Sequence, residues 1–304
     1  MAEDYIFIVS PPLEEAHSEP CLSWQPDEVL IQFPNLEKDP KVNLLNSALQ
    51  LFTNLPFINN ELPYNSEEKY VKLFTNILHS GSINLGATKS LPNLNDDDTA
   101  QLQRILKQNL EIEQVSHALD VIFESIILKT RFGQRFDLQP QYHQSPYIQI
   151  DLRELSHANT TLMSLLNNAF GTPVLFFGGQ LLPKPLFTLP KLKKLPCFLL
   201  VSFNRHGKEL NTTSVEFPIE IDVKQFLDPD LISTFKKSKG SPSAYQLHSF
   251  ITQKDGEYMT YTRLRASRQW YKIIDSDIEH DVDMGHFINS AGVTVLLYRL
   301  KDAQ

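Results

Sequence analysis

The two halves of the chain carry different hydrophobic periods, and the order of those periods is the strongest constraint on the fold. From Leu44 the apolar residues Leu45, Ala48, Leu49, Phe52 and Leu55 recur at helical spacing up to Pro56. A second helical block is predicted over Thr99 to Leu128, with Leu119, Ile122, Phe123 and Ile126 on its buried face. Asp96, Asp97 and Asp98 precede it, and their carboxylates suit the partial positive charge of a helix N-terminus. After Phe132 the pattern changes to short strands. Tyr147 to Leu152 alternates cleanly, and Leu195 to Phe203 is a nearly unbroken apolar run fit for a buried strand. Further strands are expected at Ser214 to Ile221, Tyr245 to Thr252, Tyr258 to Leu264, Trp270 to Ile274 and Val293 to Leu300, with one helix around Thr161 to Phe170. Helices first and mostly antiparallel strands afterwards spell an α+β fold.

A core of this size is within reach of 304 residues that are 41% apolar and include 19 Phe. The net charge of −8 argues against general affinity for nucleic acid or an anionic membrane, both of which need a basic excess. Two cysteines, Cys21 and Cys197, exclude a disulfide scaffold and any CxxC-type zinc site, and they point to a reducing, intracellular setting, cytoplasmic or nuclear. The apolar stretch Tyr5 to Val9 is too short for a signal peptide or a membrane span. Proline recurs at positions 11, 12, 20, 26 and 34, so residues 1–34 read as an extended lead-in and 35–304 as one domain. The Lys236 to Ser241 stretch reads as an exposed loop.

Several segments, taken together and in order, resemble the ubiquitin-specific protease domain, the papain-like deubiquitinase family (peptidase C19) with thumb, palm and fingers. Asn46-Ser47-Ala48-Leu49-Gln50 resembles the family's first box, a helix of the form CxxNS-x-LQ that carries the nucleophile at its N-terminus. Leu195-Pro196 with Leu199 to Arg205, and then Val215 to Asp222, resemble the palm sequence in which LP precedes one buried strand and FP a later one. Tyr245-Gln246-Leu247, Gly256-Glu257-Tyr258, Trp270-Tyr271-Lys272 and Val295 to Arg299 resemble the last palm strands. The resemblance spans roughly residues 35 to 300 and implies a helical thumb, an antiparallel β palm and short fingers. The segment from about Phe136 to Pro190 has no cysteine, so those fingers are expected to be zinc-free.

The same alignment removes the chemistry. The family's nucleophilic cysteine stands three residues before the Asn of the first box, and that position is Asn43. An amide has neither the charge nor the polarizability of a thiolate, and Asn43 reads instead as an N-cap for a helix beginning at Leu44. The GHY box that carries the family's histidine becomes Gly256-Glu257-Tyr258, placing Glu257 at the base position. The orienting Asp or Asn lies seventeen residues further on, which is Ile274; Asp275 is adjacent, but a one-residue shift on a strand faces the other way. The oxyanion donor maps to Lys38 and the turn glycine to Pro40. In the second box the two acids that bind the arginines of the ubiquitin tail are replaced by Val115 and Ala118, within Gln114 to Leu119.

Other candidates have plainer readings. His286, in Gly285-His286-Phe287, is a loop histidine. Cys197 is a small buried hydrophobe, and Cys21 lies in the lead-in without a fixed base. His117, His143 and His157 are not spaced to converge on a metal. Lys191, Lys193 and Lys194, with Arg263, Arg265 and Arg268, are read as a solvated face. The expectation is a catalytically inactive member of the family, a pseudo-deubiquitinase with no cofactor or metal. It would act as a protein-interaction scaffold for a partner the sequence does not name, with weak or absent ubiquitin binding and no nucleic acid or membrane. The alternatives are a non-cleaving ubiquitin or ubiquitin-like binder and a cysteine hydrolase with a relocated nucleophile.

Overall fold

The computed structural model describes residues 33, 39–53, 55, 67–80, 96–110, 114–130, 133, 136, 147–153, 155, 159–171, 189–206, 211–235, 242–263, 269–274, 277–280, 282, 284 and 287–301. Lys38, Cys21, His143, His157, Arg265, Arg268, Asp275, His286, the loop Lys236 to Ser241, nearly all of the lead-in and much of the expected finger segment lie outside the described residues.

Four helices come first: α1 (Pro40–Thr53), α2 (Lys69–Ser80), α3 (Asp96–Gln108) and α4 (Val115–Ser125). The strands follow as β1 (Ile148–Asp151), β2 (Thr160–Thr161), β3 (Phe198–Asn204), β4 (Val215–Pro218), β5 (Glu220–Asp222), β6 (Ala244–Lys254), β7 (Glu257–Arg263), β8 (Trp270–Ile274), β9 (Asp277–Glu279), β10 (Phe287–Ser290) and β11 (Val293–Leu300). Two short helices interrupt them, α5 (Leu162–Ala169) and α6 (Pro229–Thr234). Side chains set where these two start: Thr161 accepts the Ser164 N–H at 3.1 Å, and Asp228 accepts the Asp230 N–H at 2.9 Å with Pro229 at the first helical position.

The main sheet runs β1-β3-β11-β6-β7-β8-β9, with β5 pairing the start of β6 on the same edge that β7 takes further along. A small second sheet has the order β10-β4-β2. Pairing is antiparallel except for β1 with β3 and β2 with β4. The unbroken apolar run of β3 follows from burial on both faces. Phe198 and Leu200 face a core shared with α1 to α4, while Leu199, Val201 and Phe203 face a second core with α5. β11 divides its residues in the same way, Val295 and Leu297 to the first core and Leu296 and Tyr298 to the second. The sheet is thus the wall between two cores. α1 is buried from Val42 to Thr53, against the sheet on one side and the other helices on the other.

Three expectations are corrected. The first helix begins at Pro40 rather than Leu44, because Asp39 supplies the cap: its carboxylate accepts the Lys41 N–H at 2.8 Å, and its carbonyl accepts the Asn43 N–H at 2.9 Å. Asn43 is therefore inside the first turn and caps nothing. The block from Thr99 to Leu128 is two helices, since α3 closes with tight bonds from Asn109 N–H to Leu106 O and from Leu110 N–H to Lys107 O before α4 starts. The strand expected over Ser214 to Ile221 breaks at Ile219, where the chain passes from the small sheet to the main one after Pro218. α2 is a helix for which no expectation was formed.

β6 and β7 join through a two-residue turn in which Asp255 has φ 52° and Gly256 φ 86°, the Asp-Gly form whose twist matches a hairpin. Gly292, in the turn before β11, is fixed by contact: its carbonyl accepts the Gln253 N–H at 2.7 Å, and a Cβ there would stand 2.1 Å from the Gln253 carbonyl oxygen. Gly292→Ala is expected to lower stability by about 1–3 kcal/mol through overpacking against main chain that cannot swing away. Gly256→Ala, which strains φ but meets open space, should cost roughly 1 kcal/mol. Urea unfolding of the two variants checks the ranking.

Candidate functional site

The positions aligned with the family's triad lie at the N-terminal end of α1, the start of β7 and the end of β8. Asn43 is 4% exposed. Its side-chain amide grips the main chain of a single residue of β7: the Asn43 oxygen accepts the Tyr258 N–H at 2.8 Å, and the Asn43 Nδ2 donates to the Tyr258 carbonyl at 3.3 Å. A carboxamide carries one donor and one acceptor side by side, as a peptide unit does, and so it completes a ladder as a strand residue would. Two further bonds extend the seam, from the Ser47 hydroxyl to the Tyr258 carbonyl at 3.3 Å and from the Thr260 hydroxyl to the Ser47 carbonyl at 3.0 Å.

Strand geometry explains why Tyr258 is available for this. Gln253, its partner in β6, sends its own N–H to Gly292 on the far side, which makes Gln253 and Tyr258 the non-hydrogen-bonded kind of antiparallel pair. The polar groups of Tyr258 therefore point away from β6. The described pairing of β7 with β8 begins only at Thr260 and Ile273, so β8 does not meet them. Asn43 does.

Alternation sets the remaining positions apart. Tyr258 is buried in the core that contains α1, and Thr260 bonds to α1, so Glu257 belongs to the opposite parity of β7 and is exposed. Ile274 is partly buried at the end of β8, one residue past Ile273, and pairs with Asp277 of β9. Thr260 and Ile273 oppose each other and share a face, so Ile274 falls on the other face. The structure thus brings Asn43 to the backbone beside Glu257, and leaves Glu257 and Ile274 on the sheet face away from α1.

Asp39, absent from the sequence-based site, organises the helix end. Beyond capping α1 it forms an ion pair with Lys107 of α3, and that hydrogen bond holds its carboxyl below the usual range against the opposing effect of burial, with a further contribution from the Lys41 N–H. Asp39-Pro40 is itself a helix-start signal, a capping residue followed by a proline preset for the first turn. Pro40, in the turn-glycine position, has no amide N–H to donate. The positive end of α1 is thus already occupied by a carboxylate.

The second box is equally altered in place. Val115 and Ala118 are 4% and 0% exposed and belong to the core packed on α1. The nearest acid on α4 is Asp120, which accepts the Tyr147 hydroxyl at 2.6 Å. Burial raises its carboxyl above the usual range, with that hydrogen bond as a partial counterweight. Cys197 is half-buried and packed against the same core, Lys191 is exposed and donates to the Gln225 carbonyl at 2.7 Å, and His117 is half-buried. Among the described residues no three His, Cys, Asp or Glu side chains converge on a metal position, and no helix is long and apolar enough to cross a membrane.

The sequence pattern of ubiquitin carboxyl-terminal hydrolases matches residues 42–298, most of the chain. The chain belongs to this family. No curated protein matches it by sequence. Among solved structures, it is similar to a chain of the SAGA Ubp8/Sgf11/Sus1/Sgf73 DUB module, with a TM-score of 0.56 and 14% identity over 93% of this chain and 70% of that one. The same module bound to ubiquitin aldehyde gives a TM-score of 0.59 and 14% identity over 93% and 72%. At that identity the likeness establishes the shared fold: the α+β ubiquitin-specific protease architecture, with α1 to α4 as the thumb and the main sheet as the palm.

Asn43→Ala should lower stability by about 1–3 kcal/mol, the cost of depriving the buried Tyr258 N–H of its acceptor. Asn43→Asp keeps an acceptor but sets a carboxylate against the Tyr258 carbonyl, so its loss should be largest at neutral pH and shrink on acidification as that carboxyl, its pKa raised, takes up a proton. For Asp39 the sign is opposite. Its lowered pKa contributes stability that is present above the ordinary carboxylate range and lost as pH falls through the folded value, so Asp39→Asn should flatten the acid limb. Denaturant titrations across pH read all three.

Proposed function

We propose that this member of the family is a pseudo-deubiquitinase that acts as a protein-interaction scaffold. The observation that carries the reading is the two-point bond between Asn43 and Tyr258. The residue at the nucleophile position is committed to holding thumb to palm. Glu257 and Ile274 supply neither an imidazole nor its orienting partner, and a nucleophile without both has no means of losing its proton at neutral pH. Lys38 and Pro40 replace the oxyanion donor and the turn glycine. The protein partner is unidentified. A soluble setting, cytoplasmic or nuclear, is part of the same proposal.

Ubiquitin binding by the tail route is disfavoured by the burial of Val115 and Ala118, which places methyl groups where an arginine would need carboxylates. The solved relative bound to ubiquitin aldehyde is the specific observation in favour of the second reading, a non-cleaving ubiquitin binder. A relocated cysteine nucleophile is the weakest alternative, since Cys197 packs against the core.

A ubiquitin electrophile probe and a fluorogenic ubiquitin substrate test the proposal. Neither labelling nor turnover is expected from the wild type, and Asn43→Cys should not restore them, because triad members act as a unit. A thiolate introduced there would also share the helix end with the Asp39 carboxylate. Labelling of the wild type, or turnover by the single variant, would overturn the reading. Titration with intact ubiquitin and with ubiquitin lacking its last residues separates the two non-catalytic readings: tight binding lost on truncation favours the binder.

A further inference from the structure

Arg205 follows β3 directly and is 1% exposed, an arginine inside the molecule. Its Nε donates to the Val293 carbonyl at 2.6 Å, and its Nη1 donates to the carbonyls of Thr213 at 2.7 Å and Asn211 at 3.1 Å. Val293 opens β11 after the chain leaves β10, and residues 211–213 lead into β4, so the guanidinium holds two crossings between the main sheet and the small one. The Asn211 side chain is committed elsewhere: it donates to the Leu155 carbonyl at 2.7 Å and accepts the Thr213 N–H at 2.8 Å. Two polar groups at this junction are left over. The Nη2 of Arg205 has no hydrogen-bond partner among the described residues, and neither has the hydroxyl of Thr213, a residue 0% exposed. Burial lowers the Arg205 pKa to about 10 with no carboxylate among the described residues to oppose it, and at neutral pH the group is still a cation.

We propose that Arg205 Nη2 and the Thr213 hydroxyl form an internal binding site for a single halide ion, chloride under ordinary ionic conditions. The two residues are already joined by the bond from Nη1 to the Thr213 carbonyl, which keeps both leftover donors at one junction. Charge selects an anion. A water molecule would serve the N–H groups and leave a buried cation without a counter-charge, which is the costly state; an anion answers both needs. Burial and donor count select a monatomic one. A carboxylate or phosphate would bring more acceptor lone pairs into the interior than these donors can serve, whereas a halide accepts from any direction. The bound ion would fix the place where β3, β11 and the entry to β4 meet. The inference goes beyond the scaffold proposal and does not depend on it, since the site lies apart from the triad positions and holds whether or not the chain cleaves ubiquitin.

The test pairs crystals of the full chain grown in sodium bromide with thermal unfolding in solution. Bromide replaces chloride and scatters anomalously, so an anomalous peak is expected within hydrogen-bond reach of Arg205 Nη2 and the Thr213 hydroxyl. In solution, raising chloride from about 1 mM to 100 mM, with gluconate holding the ionic strength constant, should raise the unfolding midpoint, because an ion bound only by the folded chain stabilises it by mass action. Unfolding equilibrates the ion with solvent, so slow exchange from a buried site does not hide the effect. Thr213→Val keeps the shape and removes the hydroxyl; the halide affinity read from the same titration should fall about tenfold or more, the worth of one hydrogen bond to a charged group. Arg205→Met should abolish the response, and if that variant does not fold, Thr213→Val still decides. Arg104→Gln, at an exposed position of α3, should keep the wild-type response. A peak at Nη2 without anomalous signal, which is water, or a carboxylate of the chain at that place would overturn the proposal. So would a bromide peak with no chloride response in solution, an adventitious ion only, or equal responses from the wild type and Thr213→Val. Labelling by ubiquitin electrophiles is read separately, so failure here leaves the reading of the triad positions standing.

Discussion

The bond between the Asn43 side chain and the Tyr258 main chain is the constraint around which the rest of the molecule is arranged. It connects residues 215 positions apart and ties the first helix of the thumb to a palm strand at the seam where the family places its chemistry. Among the described residues the pairing of β7 with β8 begins only at Thr260 and Ile273, and a buried N–H and C=O without partners are costly. A cysteine offers no such pair of groups. The same position therefore serves either a nucleophile or a two-point seam, and in this chain the seam extends through Ser47 and Thr260.

Much of this was legible from residue patterns. The helix-then-strand order and the strand at residues 198–204, expected within the Leu195 to Phe203 run, rest on periods that are local, and local rules survive folding. The reading of Asn43, Glu257 and Ile274 as the triad positions rests on boxes with fixed spacing. What escaped was the use to which Asn43 is put. Its partner is the main chain of another residue, and no side-chain pattern records which backbone N–H a side chain will bond. The N-cap reading failed for a simpler reason, since Asp39-Pro40 is a stronger start signal than Asn43 and lies four residues upstream. The single helical block failed because Gln108 to Gln114 holds no proline or glycine to mark a break.

Electrostatics at the same end of α1 is set by the Asp39 cap. In an active member the helix N-terminus lowers the pKa of a cysteine; here Asp39 takes that favourable position and in turn draws Lys107 across from α3. Lys41 and Arg104 line a cleft between α1 and α3.

The most direct test of the account is residue-resolved hydrogen exchange at the Tyr258 amide. If the Asn43 carboxamide is its acceptor, that amide exchanges slowly in the wild type, and Asn43→Ala accelerates it selectively while amides in the centre of β3 and β11 keep their protection. Rapid exchange at Tyr258 in the wild type, or protection unchanged by Asn43→Ala, would contradict the claim that the nucleophile position has become the bond between thumb and palm.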